Sequence, residues 1–429
     1  MKNKSKVLFG LFIGLIGFSA CSERVNSSLV TANNVKKLGV KEKDLDRLDS
    51  LLASGLINNW MAGATALIAV DGKIIYEKGF GFKDREAKYV ISTDDEFRIA
   101  SMTKPIVTAA AMTLIEQGKL NLNDPVSKYI PEFKDLKILA SFDKKDTSYT
   151  TVDAKETITI KNLMTHTSGI AYGFADPRLA MIYAKNNIPD LAVADSVFIG
   201  DKVKALAKLP LGIQPNTLFY YGLNTDVLGY IIEIVSGKKL DTFVNETILS
   251  PLGMNNTFFF IPKEKASRLV VMYKEVTGGR LERIPLLSSG YQVNYPITGA
   301  KTYFSGGSGL SATIEDYAKF CQMILNQGSF GGKQILKPET VQLMTTNQIG
   351  NLNVGKNKFG LGFEIATKEG LANGAKVGKL SWSGAFNTTF WIDPERKSIA
   401  ILMTQVYPAI HKKELFSKFE QLVNEALNR

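Results

Sequence analysis

The chain has 429 residues, 45% of them hydrophobic and 22% charged, with a formal charge of +11. That is enough apolar material for one large core or two ordinary ones, and it excludes a disordered chain. The basic excess is scattered among acids, with no dense basic run and no recognition motif, so nucleic acid is not an expected partner.

The N-terminus reads as a targeting segment. Lys2, Lys4 and Lys6 precede an apolar run, Val7 to Phe18, that is too short to span a bilayer comfortably, and Phe18-Ser19-Ala20-Cys21 follows. The layout resembles a bacterial lipoprotein signal. Residues 1–20 would be removed, lipid on Cys21 would hold the protein at a membrane, residues 21–40 would be a tether, and 41–429 the folded domain of an exported, cell-envelope protein. A plain secretory signal is the alternative. With lipid on Cys21, Cys321 has no disulfide partner; it lies mid-helix and is expected to be buried. No H-E-x-x-H, C-x-x-C or P-loop occurs, so no metal or cofactor is expected.

Further along, residues 42–57 carry leucines at helical spacing. Ala64 to Val70 and Ile74 to Phe80 are β-rich runs joined at Asp71-Gly72, a hairpin signal. Glu96 to Ala100 is a short extended piece. Met102 to Gln117 is apolar nearly all round, as a buried helix is, and Gly118 closes it. Helices are expected at Ile160 to Met164, at Asp226 to Val235, and from Thr313, with Asp316 three residues on, to Leu325. Residues 270–300 look loop-like. Strands return at Lys379 to Ser383, Asn387 to Ile392 and Ser398 to Thr404, and Lys412 to Leu427 is an amphipathic helix. The expected fold is α+β: one antiparallel sheet built from both chain ends, flanked by helices, with a mostly helical region inserted and no internal repeat.

Ser101 and Lys104 stand where the extended piece meets the apolar helix. A serine hydroxyl is a poor nucleophile until a neighbour takes its proton, and a lysine desolvated enough to be neutral can take it. Positions i and i+3 share a helix face. The spacing alone has little force, since Ser141/Lys144 and Ser236/Lys239 repeat it, but those serines lie in a charged loop and beside a helix-ending glycine. A serine N-cap is the ordinary explanation for Ser101. No G-x-S-x-G occurs, so the nucleophile elbow of α/β-hydrolases is absent.

Phe97 to Lys104 and the downstream Asn123-Asp124-Pro125-Val126 resemble the serine β-lactamase and penicillin-binding-protein superfamily, in particular its class C β-lactamase-like branch with the family VIII carboxylesterases. Leu163 to Gly169, Pro251 to Met254 and Phe359 to Phe363 resemble structural segments of that branch, with His166 a fold-stabilising loop residue. The resemblance implies an acyl-enzyme on Ser101 with Lys104 as its activator, and a tyrosine that follows a Pro-x-x-x-Phe segment. Six residues after Pro215 is Tyr221, with Tyr220 as the register alternative. Gly222 replaces the usual Ser, and Leu223 stands where Asn is usual, so Asn224 becomes a candidate substrate ligand. The strand Ser381-Trp382-Ser383-Gly384-Ala385 fits the cleft-lining segment. Trp382, which stands where β-lactamases carry a cation, would bind substrate together with Ser383 and Gly384, Gly384 would permit its close approach, and the N–H groups of Ser101 and Ala385 would form the oxyanion hole.

The leading expectation is a carboxylesterase on small acyl esters. A β-lactamase or D-Ala-directed peptidase is the second, taking an amide or β-lactam, and a non-catalytic cell-wall-binding lipoprotein the third. Acyl group, leaving group, hydrolysis against acyl transfer, and oligomeric state are not legible.

Overall fold

The computed structural model describes residues 28–285 and 292–427. The signal segment and Cys21 lie outside the described residues.

The main sheet runs β1 (Val30–Thr31), β2 (Gly63–Val70), β3 (Lys73–Asp84), β4 (Lys358–Phe359), β5 (Glu364–Ile365), β6 (Leu380–Gly384), β7 (Thr388–Asp393) and β8 (Ser398–Met403) along the chain. In space the order is β1-β3-β2-β8-β7-β6-β5-β4, with the short strand Tyr89–Val90 also paired to β3. Every pairing on that path is antiparallel except β1 with β3. The sheet joins the two chain ends at β2–β8, as the strand pattern predicts. β1 is a departure: part of the segment expected to be a tether adds to the edge of β3, so the fold starts before residue 41.

Helices cover both faces, which is why β2 is buried along its whole length instead of alternating. Ala64, Ala66 and Ile68 pack with Leu48 and Leu52 of α1 (Glu42–Ile57) and Phe419 and Val423 of the C-terminal helix, while Leu67 and Ala69 face the other way. On that second side lie α2 (Thr103–Glu116), α3 (Asn224–Ser236) and α4 (Ile314–Leu325); the C-terminal helix α5 spans Lys412–Ala426. The Thr313 hydroxyl accepts the Asp316 N–H and starts α4, as the capping pattern predicts. Cys321, on α4, is fully buried and free.

Two regions fold more than their sequence suggests. Residues expected to be loop form a hairpin, Tyr273–Val276 with Arg280–Arg283, and Lys137–Phe142 pairs with Tyr149–Asp153. Both are short or exposed, and lack a sustained alternation of apolar and polar residues. No helix among the described residues is long and apolar enough to cross a membrane.

Candidate active site

The nucleophile candidate sits on a strained turn. The strand Phe97–Arg98 is anchored by the buried Arg98 guanidinium, which donates to the carbonyls of Val293 (2.6 Å) and Val270 (2.8 Å). The chain then passes through Ala100 at φ 43°, a left-handed conformation costly for a residue with a β-carbon, into the single 3-10 turn that carries Ser101. α2 follows, with Lys104 in its first turn and Pro105 where no backbone N–H is required. Ser101 is therefore not capping the helix; no side-chain cap is present there.

Lys104 is 2% exposed, and its ammonium has three partners: Ser101 Oγ at 3.2 Å, Tyr172 Oη at 2.9 Å and the Gly307 carbonyl at 2.8 Å. As an amine it could keep two of these as donor and accept the serine proton through its lone pair. Behind it lies Asp226, fully buried, with Oδ1 accepting from Ser305 Oγ (2.6 Å) and the Gly307 N–H (3.3 Å) and Oδ2 unpartnered. Burial raises the Asp226 pKa, while Ser305 and the Lys104 charge oppose that rise.

Tyrosines 172, 220 and 221 divide the work, and sequence reasoning missed the first. Tyr172 lies three residues beyond the Leu163–Gly169 segment with no motif of its own. Its phenol is held well above the usual pKa, first by burial and then by Tyr221 and Asp226, so at neutral pH it is a protonated partner for Lys104. Tyr221 lines the cleft beside Ser101 with its ring centroid 4.7 Å from Lys104 Nζ. Tyr220 is turned away: its hydroxyl donates to Asp176 (2.7 Å), which Arg178 also holds. Burial, then the Asp176 bond, pushes the Tyr220 phenol up to about 12. This geometry favours Tyr221 over the register alternative.

His166 is a support beneath Tyr221. It is 1% exposed, its ring packs 4.7 Å from the Tyr221 ring, and Nδ1 accepts from Asn224 Nδ2 (3.0 Å) and the Gly222 N–H (3.4 Å). Burial, then the Lys104 charge, holds it well below its usual pKa, in the neutral form. Asn224 corrects an expectation. It is fully buried, bonded to His166, Ser168 and the Ile170 carbonyl, and does not line the cleft, so it fastens loops instead of meeting substrate. Gly222 has a steric reason: a β-carbon there would lie 2.1 Å from the Ile170 carbonyl oxygen, leaving no room for the usual Ser.

The cleft itself is a cavity of about 1520 Å³ lined by Ser101, Tyr221, Trp382, Ser383, Gly384 and Ala385 among others. Trp382 packs edge-to-face on Tyr221 and Phe359, with ring centroids at 5.3 and 5.2 Å, and its indole N–H makes a long 3.4 Å contact to the Tyr221 hydroxyl. It steers the tyrosine. Gly384 is needed for a different approach than expected: a β-carbon would meet the Ile99 carbonyl at 2.5 Å, so the strand touches the Ser101 turn itself. No hydrogen bond among the described residues takes up the backbone N–H of Ser101 or of Ala385.

A cleft serine beside a buried lysine, two nearby phenols and a cleft-lining strand end with unengaged N–H donors is an arrangement able to support acyl transfer. Residues 48–417 match the Beta-lactamase family, and the chain belongs to it. Protein Rv1367c of Mycobacterium tuberculosis is 31% identical over 367 residues, covering 81% of this chain and 86% of that one. Esterase EstB of Burkholderia gladioli is 27% identical over 376 residues, covering 83% and 89%. The solved structure of EstCE1, a hydrolase with promiscuous acyltransferase activity, superposes with a TM-score of 0.76 at 26% identity, covering 89% of this chain and 99% of that one. The protein is thus a serine hydrolase of the β-lactamase fold with esterases among its homologues.

Proposed function

We propose that the protein is an exported carboxylesterase that works through an acyl-enzyme on Ser101. The observation that carries this is the Lys104 side-chain nitrogen, buried and 3.2 Å from Ser101 Oγ, in a cleft lined by Trp382, which stands where the β-lactamases that the chain resembles carry a cation. With Lys104 in its amine form, Ser101 Oγ forms a bond to the ester carbonyl carbon while its proton passes to the Lys104 nitrogen lone pair. The carbonyl oxygen, now anionic, is received by the N–H groups of Ser101 and Ala385. As the carbon–alkoxide bond breaks, Tyr221, next to Lys104, gives its phenol proton to the leaving oxygen and is reprotonated by Lys104, so the proton taken from Ser101 departs with the alcohol and Lys104 returns to the amine. Water then attacks the acyl-enzyme by the reverse path and regenerates Ser101.

The cleft supports an ester of some bulk. Its volume exceeds the ~300–1,000 Å³ usual for small-molecule sites, and apolar side chains of Phe174, Leu191, Val193 and Tyr407 stand on its walls. Purified protein is expected to turn over 4-nitrophenyl acetate and butyrate and to leave nitrocefin and D-alanyl-D-alanine peptides essentially untouched. Faster turnover of nitrocefin than of either ester would replace this reading with a β-lactamase.

Export and lipid attachment at Cys21 rest on Lys2, Lys4, Lys6 and the apolar run to Phe18. Cys21→Ser is expected to move the protein from the membrane fraction to the soluble fraction. An unchanged distribution would mean that Cys21 is not the anchor.

A further inference from the structure

Lys412 is a half-buried cation in the catalytic cavity that the mechanism above does not use. It is the first residue of α5, and its ammonium donates to the Gly384 carbonyl at 2.9 Å. It makes no ion pair among the described residues. The acids near it are engaged elsewhere: Glu420 with Lys379, Glu275 with His411, Glu414 with Lys418. Its other close neighbour is the Phe416 ring, 5.4 Å from Nζ to the centroid. Desolvating a cation costs free energy unless it is paired or hydrogen-bonded, and the Gly384 carbonyl is the hydrogen-bond partner that Lys412 has here.

The carbonyl belongs to the peptide unit whose other side is the Ala385 N–H. We propose that Lys412 is a positioning residue of the oxyanion hole: its ammonium holds and polarises the Gly384–Ala385 peptide so that the Ala385 N–H is aimed at the oxyanion. The inference rests on the reading of Ser101 and Ala385 given above.

Five considerations converge. The peptide is planar, so fixing its C=O direction fixes its N–H direction. β6 ends at Gly384, its last residue paired to β7, so Ala385 lies beyond the ladder and needs another restraint. The Gly384 carbonyl also receives the Asn387 N–H at a long 3.3 Å, a weaker hold than the charge-assisted bond from Lys412. A donor on the carbonyl of a peptide also strengthens its N–H as a donor. Finally, Gly384 abuts the Ile99 carbonyl, so the unit that Lys412 grips is in contact with the turn bearing the other oxyanion donor, the Ser101 N–H.

The effect belongs to the transition state, because the full negative charge exists only there; kcat should suffer and KM should not. Burial pushes the Lys412 pKa down to about 8. The cation is the effective form, so activity should decline as pH rises through that value. The other titratable groups on the cavity walls are Asp190, Tyr221, Glu364, Lys379, Tyr407, Lys413 and Glu420. Of these, Lys379 and Glu420 pair with each other, Asn357 donates to Glu364, and the Gly173 N–H donates to Asp190.

The test uses the whole chain with a neutral ester, 4-nitrophenyl acetate, and an ester bearing a carboxylate. Lys412→Met is expected to lower kcat on the neutral ester roughly 10–50-fold, less than outright loss of an oxyanion donor, with KM nearly unchanged and the alkaline decline near pH 8 gone. Lys412→Arg, which keeps the cation, is expected to restore most of kcat and to move the decline to higher pH; it also serves if the Met variant does not fold. Wild-type kcat in Lys412→Met on the neutral ester, or a loss confined to the carboxylate ester, overturns the inference and makes Lys412 at most a substrate contact. Fluorophosphonate labelling of the wild type separates the two layers. No labelling overturns the Ser101 reading and this inference with it, whereas labelling with unchanged Lys412→Met kinetics overturns this inference alone.

Discussion

Ser101→Ala is expected to abolish ester turnover, lowering kcat by about four to six orders of magnitude while the fold persists. The change removes one oxygen from a turn whose shape is set by other contacts. Arg98 is tied to Val270 and Val293, the Ile99 N–H donates to the Leu310 carbonyl (3.0 Å), and the Met102 N–H donates to the Ile99 carbonyl (3.0 Å). Ser101 contributes its side chain only to the Lys104 contact, and Lys104 retains Tyr172 and Gly307. Steady-state kinetics with 4-nitrophenyl butyrate, and loss of fluorophosphonate labelling, check the expectation. A variant that kept a tenth of the wild-type rate would place the nucleophile elsewhere.

Lys104→Arg should be nearly as damaging, costing about three orders of magnitude in kcat although the positive charge is kept. The arginine guanidinium is always protonated, so it cannot take the Ser101 proton. Its planar fork also cannot reproduce the three directions in which the lysine ammonium meets Ser101 Oγ, Tyr172 Oη and the Gly307 carbonyl. If Lys104 served only as a fixed charge, the arginine variant would keep substantial activity, and kcat measured between pH 6 and 9 would reveal it. The same experiment on Tyr172→Phe and Tyr221→Phe separates their roles. Tyr172 is a buried phenol bonded to the amine, whereas Tyr221 borders the cleft, so the loss is expected to be larger for Tyr221.

The elements legible in advance share one trait: their signal is local and repeated. The β2–β3 hairpin announces itself through two β-rich runs and Asp71-Gly72, and α2 through a helix-length apolar stretch closed by Gly118, left-handed at φ 69°. Val30–Thr31, two residues at a sheet edge, and the exposed Tyr149–Asp153 strand have no such repetition, because solvent exposure removes the apolar period that marks a strand. Ser101, Lys104 and the β6 segment were legible because the motif residues lie within one or two turns or one strand. Asn224 was misread because only a step along the chain separates a residue facing the cleft from one facing the loops behind it.

The sequence, through the resemblance of Phe97 to Lys104 and its flanking segments to a known superfamily, pointed to the class of chemistry and to the segment proposed to bear it. An extended piece running into an all-apolar helix places Ser101 and Lys104 on one face in a desolvated setting, and no tertiary information is needed to see this. Tertiary structure decided which groups surround that pair. Tyr172 reaches Lys104 across 68 residues of sequence, Gly307 across 203, and Lys412 reaches the Gly384 carbonyl from the far end of the fold's last connection. The physical reason is that proton affinity and oxyanion stabilisation depend on distance, burial and donor direction. Those quantities are set only when separate elements pack together, and a linear pattern does not encode them.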